Sequence, residues 1–435
     1  MSAIPRLSFK KILIFWLPLL ATWLMMSSEG PFLSALISRM PLPKFNLAAY
    51  GVAFAIALIV ESPVIMMLSA STALVKDSAS YIRLRNFIAL INVTITLVML
   101  LVAYTPVFMF FARNLLNLPP QVARLTHKAV IILLPWPASI GFRRFYQGVL
   151  IRNNLTRRVA YGTIIRLITM AIVASVLFLY FKVDGVVLGA SALSAGVVVD
   201  SLASRVMTNS TIKKILKLTP IDNSLTYYEI WRFYYPLVIM SFLSLSVQPI
   251  VTFFLGYSIK SLESLAVLPV INALVFIFRA FGLSFQEVII ALVGDEFSHY
   301  AELKKFSFFI GAFVFMALSL ISFTPLNYLW FHDVSGLTTE LTNFAHLPLI
   351  ILTLMPSLTM LISFQRAILV GARKTKPITV ATIIEVSTIA ILMVLFIKIF
   401  PVVGMVAAAI SLFAGRLMAN SYLMFPLKKA IKNSN

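Results

Sequence analysis

The chain has 435 residues, 60% of them hydrophobic and 12% charged, with no cysteine and a formal net charge of +21; its mean hydropathy is +0.97. A soluble domain carries about 45–50% apolar and about 25% charged residues, so a water-soluble enzyme is excluded, as is a disordered or collagenous chain. Disulfides and thiolate metal sites are excluded as well.

A bilayer span needs about 20 apolar residues in a helix, and twelve such stretches follow one another: 12–38, 47–75, 86–112, 129–151, 159–181, 185–208, 227–257, 262–293, 306–330, 343–370, 378–399 and 402–425. They are expected to be helices, because strand-like alternation is absent and a lone segment in lipid must satisfy its own backbone. The first is too long for a signal peptide and no small-residue cleavage site follows it. With the N-terminus inside, the inner segments carry 20 Lys and Arg and the outer loops 8. That bias places both termini in the cytoplasm. The basic excess is therefore read as a membrane-surface feature, and nucleic acid is not an expected partner.

The two halves match at an offset of 218–219 residues. Pro18-Leu19 corresponds to Pro236-Leu237, Pro31 to Pro249, Thr105-Pro106 to Thr324-Pro325, Pro137 to Pro356, Gly185 to Gly404, and Ala195-Gly196 to Ala414-Gly415. Four of six first-half prolines in or beside spans find a partner this way. Six spans per repeat is an even number, so the second copy enters with the orientation of the first, and a substrate path is expected where parallel repeats meet. The expected organisation is an N-lobe at 1–211, a cytoplasmic linker at 212–226 that includes Pro220 and Asp222-Asn223-Ser224, and a C-lobe at 227–435. The paired prolines predict bent first and seventh spans. Gly51, Gly185, Gly196, Gly404 and Gly415 are read as close helix-packing points.

Eight arginines fall in or at the ends of spans: Arg143, Arg144, Arg166, Arg205, Arg232, Arg279, Arg366 and Arg416. So do five acids: Glu29, Glu61, Asp200, Glu287 and Glu385. Each such charge costs at least about 2.5–3.5 kcal/mol to insert, so it should face protein or a wet cavity. Arg205 and Arg232 lie near an inner surface and are expected to snorkel. Arg143, Arg144 and Arg366 either serve an inner vestibule or snorkel. Glu61 and Arg279 are repeat-equivalent, as are Arg166 and Glu385, so two pairs of opposite sign could meet across the pseudo-axis. They are read either as static bridges or as gates and substrate contacts. Tyr50, Gln248, Asp200 and Arg416 complete the candidate cavity set, and Glu29 and Glu61 are the candidate coupling carboxylates. The arginine excess favours an anionic or phosphate-bearing cargo, which guanidinium grips bidentately. Four histidines, His127, His299, His332 and His346, are expected in loops or near span ends with no metal-ligand spacing. No Walker A loop and no nucleophile–base–acid set is present, so no enzyme activity and no cofactor is expected beyond a coupling proton or sodium ion.

Twelve spans in parallel six-span repeats with bent first and seventh helices resemble the multidrug/oligosaccharidyl-lipid/polysaccharide (MOP) exporter superfamily, and within it the progressive ankylosis (ANK) transporter family. Phe15-x-x-Pro18-Leu19 with Thr22 and Glu29 is similar to that family's first span, and Leu47-Ala48-Ala49-Tyr50-Gly51-Val52-Ala53-Phe54 with Pro63 to its second. Pro236-Leu237 and Pro249-Ile250-Val251 are similar to its seventh, and Lys304-Lys305-Phe306 to the start of its ninth. The resemblance implies an all-α, MATE-like, V-shaped bundle. Its implied activity is export of an organic or phosphorylated anion by alternating access through a central cavity. A flippase for a lipid or lipid-linked glycan is the alternative, an H+- or Na+-coupled multidrug antiporter comes third, and a non-transporting scaffold is the reading from a different class. A monomer in the bacterial inner membrane is expected.

Overall fold

A computed structural model describes residues 7–104, 106–153, 155–219, 225–294, 297–372 and 374–432. Arg6 and Arg373, two of the 20 inner basic residues, and Thr105, Pro220, Asp222, Asn223 and Ser224 lie outside the described residues. The elements in chain order are α1 (Phe9–Ser27), α2 (Glu29–Ser38), α3 (Pro43–Glu61), α4 (Met67–Leu74), α5 (Ser78–Tyr104), α6 (Pro106–Phe110), α7 (Pro120–Ile132), α8 (Trp136–Arg152), α9 (Thr156–Tyr180) and α10 (Gly185–Ile215). There follow α11 (Tyr227–Leu245), α12 (Val247–Gly256), α13 (Ser261–Leu292), α14 (Tyr300–Phe323), α15 (Leu326–Tyr328), α16 (Thr339–Leu352), α17 (Met355–Gly371), α18 (Lys376–Lys398) and α19 (Gly404–Lys432). Eleven helical runs among the described residues are long and apolar enough to cross a bilayer, and α11 with α12, bent by 41°, makes a twelfth. The chain is thus an all-α, multi-pass integral membrane protein.

Several boundaries differ from the expected ones for local reasons. The second span is broken after Glu61 at Ser62-Pro63, since Pro63 removes a helical donor. The fourth starts at Pro120, well before 129, and breaks between α7 and α8 around Pro135. Helix α10 runs to Ile215, so the start of the segment expected as a linker is helical.

The repeat recurs in the backbone. The α1–α2 break at Ser28 and the α11–α12 break at Ser246 are related by 218 residues, and each precedes a proline, Pro31 or Pro249, by three positions. That proline cannot donate to the carbonyl four residues back, and its ring crowds it, so the helix parts there. Serines cover the loosened turns: Ser27 Oγ donates to Leu24 O at 2.9 Å, Ser28 Oγ to Met25 O at 2.7 Å and Ser246 Oγ to Leu243 O at 2.9 Å. Leu42 and Lys260, each with φ 53°, start α3 and α13 alike. His127 and His346, 219 residues apart, lie within α7 and α16 rather than in loops, and their Nε2 atoms meet Ala103 O at 2.5 Å and Ser322 O at 3.1 Å. Those two carbonyls are themselves 219 residues apart.

The packing forms two compact units, Met1–Arg39 with Tyr257–Asn435, and Met40–Gly256. They do not follow the expected lobes 1–211 and 227–435, because α1–α2 packs with second-half helices and α11–α12 with first-half helices. The buried side chains account for this. In the first unit Trp16 sits between Phe285 (ring centroids 5.4 Å apart) and Phe306 (5.7 Å) and its indole N–H donates to Ser284 Oγ at 2.8 Å. In the second, Tyr234, the repeat equivalent of Trp16, packs edge-on against Phe87 at 5.7 Å and its hydroxyl donates to Pro63 O. The far ends are tied similarly: Ser38 Oγ donates to Ser335 O, Arg39 reaches Asp333 O at 2.5 Å, and Asn117 Nδ2 donates to Gly256 O at 3.1 Å.

Small residues let neighbouring helices close in. A Cβ at Gly196 would stand 3.1 Å from Arg166 O, and one at Gly415 would stand 2.9 Å from Glu385 O and 2.7 Å from Ile389 Cγ1. We expect Gly415→Leu to part α18 from α19 and lower stability by about 1–3 kcal/mol. Gly196→Leu should cost less. Thermal melting of the purified variants in detergent measures both.

Candidate functional site

Each unit holds a buried charge cluster, and the two clusters share two positions of the repeat, Glu61 with Arg279 and Arg166 with Glu385. In the second unit Glu61 ends α3, where the helix breaks at Pro63, and is 6% exposed. The indole N–H of Trp136 donates to its Oε2 at 2.9 Å. The Arg166 guanidinium, on α9, lies over the Trp136 ring at 5.9 Å, a cation–π arrangement that shields a buried cation. Arg143 on α8 donates through Nη1 to Asp200 Oδ2 on α10 at 2.9 Å, with side-chain exposures of 6% and 0%. Ser204 Oγ donates to the other Asp200 oxygen at 3.2 Å. Gly162 lets α9 approach: a Cβ there would sit 2.5 Å from Asp200 Oδ1. Arg144, Arg143 and Arg166 all act electrostatically on Glu61.

In the first unit Arg416 on α19 donates through Nε and Nη2, both at 2.8 Å, to Glu385 Oε1 on α18. Thr359 on α17 accepts from Arg279 Nε at 3.2 Å and from Arg416 Nη1 at 3.5 Å. Arg366 Nη2 donates to Thr382 Oγ1 at 3.3 Å. Arg279, Arg366, Arg416 and Glu385 form one electrostatic neighbourhood. Three arginines therefore face two acids in the second unit and one acid in the first. The buried Nε–H groups of Arg143, Arg144 and Arg366 have no hydrogen-bond partner among the described residues. Donors of this kind suit an incoming oxyanion, since leaving them unmet carries a desolvation cost.

The predicted residues thus group by unit. Glu61, Arg143, Arg144, Arg166 and Asp200 come together, as do Arg279, Arg366, Glu385 and Arg416. Among the described residues Arg143 pairs with Asp200 and Arg416 with Glu385, each inside one unit, pairings that the sequence offset, which set Glu61 beside Arg279 and Arg166 beside Glu385, does not indicate. The physical reason is proximity along the bundle: α8 packs on α10, and α18 on α19, so their mid-helix charges meet first. Glu29 opens α2 and is buried. Tyr50 is buried on α3 and stacks on Phe54 at 6.4 Å, and Gln248 is half-buried on α12 beside Pro249. Arg205 and Arg232 are exposed, as expected of snorkelling side chains; Arg205 bonds Asn209 at 2.6 Å. Sequence reasoning missed Trp136, Thr359, Thr382 and Ser204. Trp136 had a usable signal, since a buried indole N–H seeks an acceptor, but nothing in the spacing named Glu61 as that acceptor.

No family model and no curated protein matches the chain in sequence. Solved structures do. An inward-facing MATE family multidrug resistance transporter of the MOP superfamily superposes with a TM-score of 0.72 at 15% identity, covering 95% of both chains. The lipid II flippase MurJ in an inward closed conformation gives 0.72 at 18% identity, over 97% of this chain and 90% of that one. A MOP superfamily transporter from Pyrococcus furiosus, described as having a binding pocket of reverse polarity, gives 0.62 at 16% identity over 98% and 96%. The chain therefore has the fold of MOP superfamily transporters.

Asp200→Asn should leave Arg143 buried without its counter-charge and destabilise the protein by about 3–5 kcal/mol. The double replacement Arg143→Met with Asp200→Leu should recover most of that loss. Thermal melts of the single and double variants read the difference.

Proposed function

We propose that this chain is a secondary active exporter of a small organic or phosphorylated anion, working by alternating access. The observation that carries the reading is the pair of arginine clusters, each with more guanidinium groups than carboxylates and with buried Nε–H donors left for a further acceptor. A planar fork of N–H donors matches carboxylate and phosphate oxygens. An organic cation would have to approach three like charges in either cluster, which disfavours a drug-cation antiporter. The sequence resemblance to the ANK family supports the same class of cargo. In this reading Arg144, Arg166, Arg279 and Arg366 contact the substrate. The pairs Arg143–Asp200 and Arg416–Glu385 hold the frame and yield part of their bonding as substrate arrives. Tyr50 and Gln248 line the path. Glu61 and Glu29 are the carboxylates for a coupling proton or sodium ion, and the protein works as a monomer in a bacterial inner membrane with both termini cytoplasmic.

A second reading is a flippase for a lipid or lipid-linked glycan. The likeness to the lipid II flippase, as great in TM-score as that to the MATE transporter, favours it. The same guanidinium groups would then hold a lipid-borne phosphate.

Proteoliposomes loaded with organic acids and with sugar or nucleotide phosphates test the proposal. The wild type should move at least one such anion down an imposed ion gradient. Arg279→Ala and Arg366→Ala should each lower transport by about tenfold or more, the equivalent of about 1.4 kcal/mol. Glu61→Gln should abolish gradient-driven accumulation while sparing anion exchange. Undiminished transport by both Arg279→Ala and Glu61→Ala would refute the site. Scrambling of a phosphate-headed lipid without soluble anion transport would select the flippase.

A further inference from the structure

A separate groove opens on the first unit between α14, α17 and α19, with a volume of about 570 Å³ and walls that are overwhelmingly apolar. No residue of the two charge clusters lines it. Phe308, Phe315, Leu354 and Leu361 line its length, and Phe308, Phe315 and Leu354 are exposed side chains on a helical surface of membrane-spanning length. At one end, where α14 begins and α19 ends, stand Lys304 and Lys428, both exposed. Lys304 Nζ rests over the Tyr300 ring at 5.9 Å, which fixes its charge beside the opening. On the floor at the same end Gln365 is fully buried. Its Nε2 donates to Asn420 O at 3.0 Å, while its Oε1 has no hydrogen-bond partner among the described residues.

We infer that this groove is a binding site for an anionic glycerophospholipid, with the phosphate between Lys304 and Lys428, a headgroup hydroxyl donating to Gln365 Oε1, and one acyl chain along the apolar walls. Four features of the groove select that occupant together. An acyl chain fits a long apolar trough that is open to lipid on one side. Two ammonium groups at its mouth require a negative headgroup. A buried carbonyl oxygen with no donor calls for a hydrogen-bond donor, which a choline headgroup lacks; a glycerol hydroxyl supplies it without bringing a further cation beside the two lysines. The volume falls in the range of small-molecule sites, about 300–1,000 Å³. The site is independent of the transport reading, because none of the residues placed in the charge clusters lines it.

Native mass spectrometry of the full-length protein in detergent, titrated with phosphatidylglycerol or with phosphatidylcholine of identical chains, tests this directly. Phosphatidylglycerol should bind at least about tenfold more tightly than phosphatidylcholine. Lys304→Ala with Lys428→Ala should remove that preference; both side chains are exposed, so the fold is unaffected. Gly311→Leu should fill the trough and abolish binding of both lipids. A Cβ at that position meets only Met360, no nearer than 3.8 Å, so the backbone tolerates it. Gln365→Leu should weaken phosphatidylglycerol and leave phosphatidate, which lacks the hydroxyl, unchanged. Equal binding of the two lipids by the wild type, an unchanged preference in the double lysine variant, or displacement of the lipid by free glycerol phosphate would each overturn the proposal. Should Gly311→Leu fail to fold, the lysine and glutamine variants decide alone. None of these measurements reads transport, so their failure leaves the exporter proposal standing, and the reverse holds as well.

Discussion

Guanidinium groups in a hydrocarbon slab dominate the design of this molecule. Each charge at such depth costs about 2.5–3.5 kcal/mol on the insertion scale, and isolated ones far more. Arg143, Arg166 and Arg416 are held by a carboxylate on α10, an indole face on α8 and a second carboxylate on α18. Those partners come from helices of the same unit, so every unit solves its own electrostatic problem. The buried Nε–H groups of Arg144 and Arg366 meet no acceptor among the described residues. Under the proposed function these are the donors that an arriving anion would meet.

Around these clusters the two repeats use one plan with different letters. Glu61 stands where the second copy has Arg279, and Arg166 where it has Glu385. Sign reversal at equivalent positions keeps the backbone and changes the pairing. Helices α9 and α10 cross over Gly196, and α18 and α19 over Gly415, at matching places. In one unit the crossing presents Arg166 to Trp136, and in the other it presents Glu385 to Arg416.

The span order, the repeat offset and the breaks near Pro31 and Pro249 were all legible from the chain, since apolar length and proline leave strong marks. The charged positions were legible too, because an arginine in a greasy stretch is conspicuous. Their partners were not. Which of Glu61, Asp200 and Glu385 meets which arginine depends on helix rotation and on small-residue crossings such as Gly162, and a sequence offset says nothing about rotation. The exchange of α1 and α11 between units was hidden for a related reason. Ile12 and Trp16 announce a buried face, but Phe285 and Phe306, which cover it, could only be found in three dimensions. His127 and His346, expected in loops or near span ends, sit near the starts of helical runs that begin at Pro120 and Thr339, upstream of the apolar stretches.

That exchange bears on how the protein comes off the ribosome. The serine that Trp16 bonds lies 268 residues further along the chain. The helix that carries Trp16 enters the bilayer ahead of the helices that cover it, and it waits in lipid while a whole unit, Met40–Gly256, assembles behind it. Domains that fold as they are synthesised usually close in order. Here the opening segment instead seals the unit completed last.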